Sequence, residues 1–296
     1  MAVSKAEEKH VGSPFDRRTW QLGHGRTLEV GPRGHLQAII NVTPDSFSDG
    51  GRFNDADTAV AAAMDAASLG AAIVDIGGES TRPGAEPVDA VTEQARVIPV
   101  IEELAKRSDT IISIDTYRAE TAERGIKAGA HIINDVWGLQ KDADLAAVAA
   151  DLGAGLCIMH TGRNREKAAD VVADQIGFLG KSLEAARSAG IRDEAIVLDP
   201  GFGFAKDPSE NVELIARFDE LHAFGFPLVA GTSRKRFVGA ISGRQTDERD
   251  VATAATTAML RLQGAAIFRV HNVAFNRDAL AMADAVVTSR RMRVSS

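Results

Sequence analysis

Residues 110–136 read TIISIDTYRAETAERGIKAGAHIINDV. This segment begins with a short apolar run at Thr110–Ile114, continues with a helical pattern at Arg118–Lys127, and ends with a second apolar run at His131–Val136. Gly129 follows the helical pattern, at a position where helices commonly end in a positive-φ conformation that glycine adopts easily. Continuous apolar runs are typical of parallel strands covered on both faces. The segment therefore predicts a strand–helix–strand unit of a parallel sheet.

The rest of the chain repeats this alternation. Further apolar runs predict strands at Leu36–Val42, Ala72–Ile76, Leu156–Met159, Ala195–Leu198, Pro227–Ala230 and Ala266–Val270. Amphipathic or alanine-rich segments predict helices at Ala56–Leu69, Val91–Lys106, Ala143–Leu152, Lys167–Ala189, Ser209–Phe224, Arg249–Leu262 and Ala274–Val287. Eight strands that alternate strictly with eight helices favour a closed (β/α)8 TIM barrel over an open doubly wound sheet.

The predicted barrel accounts for a single domain at residues 36–289, and no segment has the composition of a linker. A tail and hairpin at residues 1–35 are expected before it. The alternating pattern of Trp20–Val30 predicts that this hairpin closes the N-terminal end of the barrel. Residues 290–296 are predicted to form a basic tail.

Composition excludes several classes of function. The 296 residues include 45% hydrophobic and 25% charged residues, which is ordinary for a globular protein with a substantial core. A net charge of −7 argues against a general nucleic-acid binder. No apolar stretch is long enough to span a bilayer, and the single cysteine, Cys157, cannot form an intramolecular disulfide. We therefore expect a cytoplasmic protein without nucleic-acid or membrane partners.

Polar residues stand at the end of nearly every predicted strand. They are Asn41, Asp75, Asp115, Asn134, His160, Asp199, Thr232, Ser233, Arg269 and His271. Any one of them could cap a loop. Because the strands are parallel, however, their carboxyl ends meet at one rim, which is where the active sites of such barrels lie. The joint pattern predicts a polar pocket.

The residues of this rim fall into two chemical groups. Asp115, Asn134 and Asp199 supply hydrogen-bond acceptors, which suit a flat heterocycle that carries several N–H groups. The cations and donors suit a polyanion, and they are Arg82, Lys235, Arg269 and His271. Together they predict a planar ligand joined to a phosphate-bearing group.

Three loops add to this prediction. The glycine-containing loops at 41–51 and 77–84 carry hydroxyl groups, and the second carries Arg82, as expected for mobile lids over a polar substrate. The segment 231–237 follows the seventh strand and is predicted to open a short extra helix. Barrels often bind phosphate or another anion at this position.

Seven motifs together resemble the dihydropteroate synthase family. They lie in family order from the first strand to the last: INVTPDSFSDGG (40–51), DIGGESTRPG (75–84), SIDT (113–116), INDV (133–136), DPGFGF (199–204), GTSRK (231–235) and RVH (269–271). The first two are long and specific, whereas SIDT or RVH alone would be weak signals.

The resemblance implies condensation of 6-hydroxymethyl-7,8-dihydropterin pyrophosphate with p-aminobenzoate, giving dihydropteroate and pyrophosphate. It implies that Asp199, Asn134 and Asp115 bind the pterin ring, and that Lys235 reaches the pterin carbonyl. Asn41 would help to hold Mg²⁺ against the pyrophosphate, which the resemblance also places against Arg82, Arg269 and His271. The implied catalytic residues are Asp115, Lys235, Arg82, Arg269 and His271.

The same resemblance implies the remaining substrate contacts and the assembly. The p-aminobenzoate site would be bordered by Phe47, Thr81, Pro83 and Ser233, with the carboxylate of the amine near the helix that follows Ser233. Met159 and Phe204 complete the implied substrate-binding set. A homodimer through the late helices is also implied, and the segment 274–287 is apolar enough to contribute.

The chain departs from the family pattern at two places beside the expected pocket. After Met159 and His160 the family often continues with Met-Gln-Gly, whereas this chain continues with Thr161-Gly-Arg-Asn. The family commonly has His-Asp-Val where this chain has His271-Asn-Val. These departures leave open a non-catalytic or altered-specificity pterin-binding paralogue.

Two other activities compete with the synthase interpretation. A pterin-dependent methyltransferase acting on a corrinoid protein would share the pterin-binding carboxylates but would not need Arg82 or the pair Arg269 and His271. A barrel enzyme for a sugar phosphate would explain the cations but not the carboxylates. For the synthase we favour a dissociative mechanism, because an aromatic amine needs no strong general base and the departing pyrophosphate needs stabilisation of its charge.

Overall fold

The computed structural model describes residues 12–43, 52–80 and 86–294. Its described residues form a sheet of eight parallel strands: β3 (His35–Asn41), β4 (Ile73–Gly77), β5 (Ile111–Asp115), β6 (Ile132–Asp135), β7 (Gly155–Met159), β8 (Ile196–Asp199), β9 (Val229–Ala230) and β10 (Ile267–Val270). The spatial order is β8-β7-β6-β5-β4-β3-β10-β9. A parallel bridge between Leu198 and Leu228 joins the two ends. The predicted closed barrel is confirmed.

Helices alternate with these strands and cover the outside of the barrel. They are α1 (Arg52–Ser68), α2 (Ala90–Arg107), α3 (Ala119–Lys127), α4 (Leu145–Asp151), α5 (Val171–Ser188), α6 (Pro208–Ala216), α7 (Arg236–Ser242), α8 (Asp250–Leu262) and α9 (Val273–Val294). Helix α7 is the predicted short extra helix after the seventh barrel strand. Within the described ranges, no helix is long and apolar enough to cross a membrane.

The prediction of one continuous helix over Ser209–Phe224 was wrong. Helix α6 ends at Ala216, Arg217 has non-helical backbone angles, and a 3₁₀ helix follows at Phe218–Phe224. Phe218 and Leu221 are both buried. Residues three apart lie on the same side of a 3₁₀ helix, which has three residues per turn, so this conformation turns both side chains into the core.

The predicted hairpin is present and closes the N-terminal end of the barrel. Strands β1 (Arg18–Gln21) and β2 (Thr27–Val30) pair antiparallel. Trp20 is buried among apolar residues from the starts of the barrel strands, and its indole N–H donates to the Ala195 carbonyl at 2.9 Å. The domain boundaries at residues 35 and 289 stay a prediction, and α9 continues through the first residues of the expected basic tail to Val294.

Candidate active site

A cavity of about 590 Å³ opens at the C-terminal rim of the barrel. Seven of the residues predicted for the site line it: Asn41, Asp115, Phe204, Ser233, Lys235, Arg269 and His271. Asn134, Met159 and Asp199 are buried at the same end of the barrel, at the carboxyl ends of β6, β7 and β8. Phe47, Thr81, Arg82 and Pro83 lie outside the described residues, so the structure leaves their predicted roles untested.

Arg269 links two carboxylates across the barrel. Its Nε donates to Oδ2 of Asp75 and its Nη2 donates to Oδ2 of Asp115, both at 2.6 Å. Asn134 Nδ2 also donates to Asp75 Oδ2, at 3.0 Å. Burial raises the pKa of Asp115 to about 7; the positive charge of Arg269 opposes this shift, and the negative charge of Asp75 adds to it. One guanidinium is therefore shared between two carboxyl groups.

The two oxygens of the Asp199 carboxylate have different surroundings. Its Oδ1 accepts from the backbone N–H of Gly201 at 2.7 Å. A Cβ atom at Gly231, which lines the cavity, would lie 3.5 Å from Asp199 Oδ2, so the second oxygen faces the wall at Gly231. Burial raises the pKa of Asp199, and the opposing effects come from the Gly201 N–H and then from Lys235. The Gly201 N–H thus orients this carboxylate and leaves Oδ2 near the cavity wall.

Lys235 crosses the cavity beside Phe204. Its Nζ lies 4.1 Å from the centroid of the Phe204 ring, within the range of a cation–π contact. A Cβ atom at Gly203 would lie only 3.1 Å from Lys235 Cδ. The glycine therefore leaves room for the lysine side chain. Burial lowers the pKa of Lys235 to about 8, and the positive charge of Arg269 adds to the effect.

Ser233 and His271 are joined on neighbouring segments of the rim. The Ser233 hydroxyl lies 2.9 Å from His271 Nδ1 and also accepts from the His271 backbone N–H at 3.1 Å. These contacts fix the plane of the imidazole ring. The arrangement confirms that the two predicted residues come together, although it does not test their predicted ligands.

A metal ion would have few protein ligands in the described part of the chain. They contain no group of three or more His, Cys, Asp or Glu residues that could hold a metal ion. A Cβ atom at Gly77 would lie 3.7 Å from Asp115 Oδ2 and 3.8 Å from Asn41 Oδ1, so these two oxygens flank the same glycine. Mg²⁺ is commonly held by one or two protein oxygens together with substrate phosphates and water. Asn41 fits such a role.

The comparisons with known proteins agree with this geometry. The family model described as "Pterin binding enzyme" matches residues 37–271. The curated dihydropteroate synthase of Clostridium beijerinckii is 42% identical over 263 residues, which cover 88% of this chain and 97% of that protein. The chain belongs to the dihydropteroate synthase family of pterin-binding enzymes.

Solved dihydropteroate synthases share the fold. The enzyme from Clostridium difficile, solved in the presence of pteroic acid, is 45% identical with a TM-score of 0.85, over 88% of this chain and 98% of that one. The Xanthomonas albilineans enzyme, solved with 4-aminobenzoic acid, is 40% identical with a TM-score of 0.86, over 90% and 98% of the two chains. The predicted assignment to a dihydropteroate synthase, a transferase, is confirmed.

The two departures from the synthase pattern have identifiable contacts. The guanidinium carbon of Arg163 lies 4.6 Å from the centroid of the Phe204 ring, so this segment adds a cation to the cavity wall. Asn272 donates to Asp250 Oδ2 at 3.0 Å and accepts from the Phe275 N–H at 3.2 Å, as a cap of α9. An aspartate could cap the helix but could not donate to Asp250. The asparagine therefore adds a hydrogen bond to Asp250 that the aspartate of the family pattern would not make.

Sequence reasoning missed several residues of the synthase cavity. Arg163, Lys206 and Arg236 line it but were not predicted as site residues. Asp75 was predicted only as one polar residue of the rim, not as the partner of Arg269. Lys206 stands two residues after the DPGFGF motif and Arg236 directly follows GTSRK, so proximity to these motifs was the available signal.

Proposed function

We propose that this cavity performs the dihydropteroate synthase reaction, with buried acceptors for the pterin and cations at the mouth for the pyrophosphate. One observation carries the proposal: Asp115, Lys235, Arg269 and His271 line a single cavity, with Asp199 and Asn134 buried at the same end of the barrel. A ligand that joins an N–H-rich ring to a pyrophosphate needs hydrogen-bond acceptors around the ring and cations around the pyrophosphate. This cavity supplies both.

The pterin ring would bind among the carboxylates. Asp199 would accept from the guanidine-like edge of the ring, while Asn134 and Asp115 would contact further ring nitrogens. The buried side chains Met159 and Phe204, which pack together in one apolar cluster, would support the ring. Because buried N–H groups of a ligand are costly without acceptors, these contacts would supply much of the specificity.

The pyrophosphate would bind at the cationic side of the cavity. His271, held by Ser233, and Arg82 would contact it. Arg269 already uses Nε and Nη2 for carboxylates, so its contact with the leaving group would come from Nη1. Asn41 would hold Mg²⁺ through its side-chain oxygen. The ion would supply charge stabilisation to the departing pyrophosphate.

The residues support a dissociative path. As the bond from carbon to the pyrophosphate oxygen breaks, negative charge grows on the leaving group and positive charge spreads into the pterin. The cations of the cavity would stabilise the first charge, and Asp115 would stabilise the second. The amine of p-aminobenzoate then attacks the carbon, with Ser233, Phe47, Thr81 and Pro83 bordering its ring. No strong base is required, since the amine loses its proton only after the attack, when the nitrogen is acidic enough to give it to water or to the released pyrophosphate.

A direct turnover assay tests this proposal. The protein is incubated with the pterin pyrophosphate, p-aminobenzoate and Mg²⁺, and dihydropteroate and pyrophosphate are measured by chromatography. We expect both products in equal amounts. Binding of the pterin without either product would support the non-catalytic paralogue instead. Asp199→Ala serves as the matched control, because it removes one proposed pterin acceptor while leaving the cations in place.

We also propose a homodimer formed through α8 and α9. These helices pack against each other and carry large apolar side chains exposed to solvent: Val251, Met259, Phe275, Met282, Val286 and Met292. Large apolar side chains exposed on neighbouring helices commonly mark a protein–protein interface. A second copy of the chain, bringing the same two helices, would cover these side chains.

A further inference from the structure

Four ionisable side chains at the wall of the substrate cavity form a continuous chain of contacts. They are Arg165, Asp174, His160 and Lys206. Arg165 donates to both oxygens of Asp174 at 2.8 and 2.6 Å, and Asp174 Oδ2 lies 2.9 Å from His160 Nε2. Lys206 Nζ lies 2.9 Å from His160 Nδ1. None of these residues is needed for the proposed substrate contacts.

His160 is neutral and has polar partners at both ring nitrogens. Burial lowers its pKa to about 3. Its Nε2 lies 2.9 Å from Asp174 Oδ2 and 2.8 Å from Arg165 Nη2, and its Nδ1 lies 2.9 Å from Lys206 Nζ. Burial also lowers the pKa of Lys206 to about 7. The group formed by Arg165, Asp174 and His160 therefore holds the end of the Lys206 side chain in place.

Lys206 uses a second hydrogen bond to hold the turn that carries Asp199. Its Nζ donates to the Gly201 carbonyl at 2.9 Å, and the N–H of the same Gly201 donates to Asp199 Oδ1 at 2.7 Å. Gly201 has a φ of 64°, and a Cβ atom there would lie 1.9 Å from the His160 carbonyl oxygen. The turn is thus pressed against His160, and the position of Gly201 determines the orientation of the Asp199 carboxylate.

We propose that Lys206 is a positioning residue for this reaction, which orients Asp199 for the pterin through Gly201. The inference rests on the proposed role of Asp199 as a pterin acceptor. Lys206 lines the cavity although it is only 9% exposed, and burying an amino group is unfavourable unless it is hydrogen-bonded. The contacts with His160 Nδ1 and the Gly201 carbonyl meet that requirement.

The test compares Lys206→Met, which keeps the length of the side chain but removes its donors, with Lys206→Arg, which keeps a cationic donor. For Lys206→Met we expect KM for the pterin pyrophosphate and Kd for 6-hydroxymethylpterin to rise about tenfold, the effect of one lost hydrogen bond to a charged group. We expect kcat and KM for p-aminobenzoate to change less than twofold. For Lys206→Arg we expect the logarithm of the pterin Kd to rise by no more than half of the rise found for Lys206→Met.

Lys167→Met is the matched control. Lys167 donates to the carbonyl of Ala205, in the same loop, at 2.8 Å and to Glu210 Oε1 at 2.5 Å, and within the described ranges no hydrogen bond joins it to Gly201 or His160. We expect its pterin affinity to stay within twofold of the unchanged protein. His160→Leu should weaken pterin binding to a similar extent as Lys206→Met, and the double variant should lose no more than either single variant, because both act through one contact.

Two results would overturn the inference. One is an unchanged pterin Kd for Lys206→Met, and the other is an equal loss for both substrates together with a lower kcat, which would indicate general damage to the cavity. Asp199→Ala separates this inference from the proposed function. If Asp199→Ala weakens pterin binding but Lys206→Met does not, only the positioning role is wrong. If Asp199→Ala has no effect, the proposed pterin site itself is wrong.

Discussion

Arg269 Nη2 donates to Asp115 Oδ2 at 2.6 Å, although the same guanidinium is already bonded to Asp75. A single positive charge compensates only one of two carboxylates. When both are ionised, this group of three side chains carries a net negative charge in the wall of the cavity. In the proposed reaction, that charge would stabilise the positive charge that develops on the pterin as pyrophosphate departs.

The first prediction concerns pH. Asp115 has a raised pKa of about 7 in the folded protein, so its stabilising charge is present above that pH and is lost below it. Lys235 has a lowered pKa of about 8, so its positive charge is present below that pH and is lost above it. The pH profile of kcat/KM for the pterin substrate should therefore be bell-shaped, with a narrow optimum between these values.

Two variants test which residue causes each side of this pH profile. Asp115→Asn should remove the rise through about pH 7, and Lys235→Met should remove the fall above about pH 8, each with a lower maximum. The measurement is kcat/KM over the pH range in which the unchanged protein stays folded by circular dichroism. A profile of unchanged shape in either variant would contradict the corresponding assignment.

The second prediction concerns Asp199. Asp199→Ala should abolish measurable pterin binding or weaken it by about 1–3 kcal/mol or more, because buried N–H donors of the ligand lose their acceptor. Calorimetry with 6-hydroxymethylpterin measures the effect, and the thermal unfolding midpoint shows whether the fold is intact. Asp170→Ala, which removes a surface carboxylate from the start of α5, is the control for a lost charge. Unchanged affinity in a folded Asp199→Ala protein would rule out the pterin assignment.

The third prediction concerns the leaving group. His271→Ala should weaken binding of pyrophosphate and turnover by more than it weakens binding of a plain pterin. His271 is a better probe than Arg269, because removal of Arg269 would leave Asp75 and Asp115 buried without their cation, at a cost of about 3–5 kcal/mol of folding free energy. Competition calorimetry with pyrophosphate and with 6-hydroxymethylpterin measures both affinities. An equal loss for the two ligands would indicate damage to the pocket rather than a leaving-group contact.

The barrel and its polar rim could be predicted from the sequence, but the pairing of side chains across the rim could not. Apolar runs show where each strand ends, and parallel strands bring these ends together. Asp75 and Arg269 are separated by 194 residues in the sequence. Their hydrogen bond forms because β4 and β10 lie on either side of β3 in the closed barrel. The contact of Lys206 with His160 joins two different loops in the same way. No local pattern encodes such contacts.

The fourth prediction concerns the order of binding. Loops 41–51 and 77–84 carry Phe47, Arg82 and Pro83, and a bound pyrophosphate with Mg²⁺ would draw Asn41 and Arg82 together around the amine site. We therefore expect p-aminobenzoate to bind tightly only after the pyrophosphate. Equilibrium binding of labelled p-aminobenzoate is measured with and without pyrophosphate, Mg²⁺ and a pterin.

Sulfonamides provide an independent check of this order. They resemble p-aminobenzoate in shape, so they should displace the label and should also require pyrophosphate. Equally tight binding of p-aminobenzoate to the empty enzyme would contradict ordered closure.

The fifth prediction concerns assembly. Met259→Glu and Met282→Glu place charges on the exposed apolar surface of α8 and α9, and each should shift a dimer toward the monomer by at least tenfold in dissociation constant. Ile176→Glu is the matched control, because Ile176 is similarly exposed but lies on α5. Sedimentation equilibrium measures the masses. A dimer that persists in both methionine variants would place the interface elsewhere.

The two tryptophans of the chain lie at opposite ends of the barrel. Trp20 is sealed within the hairpin at the closed end, whereas Trp137 is half-buried at the rim beside Met159 and Phe204. The fluorescence of Trp137 should therefore report ligand binding, and that of Trp20 should report unfolding of the hairpin. A chromophoric pterin bound in the cavity should quench Trp137 strongly and Trp20 weakly, while a red shift of Trp20 emission should report release of the hairpin. A Trp137→Phe protein would give an optical record of unfolding with little contribution from ligand binding.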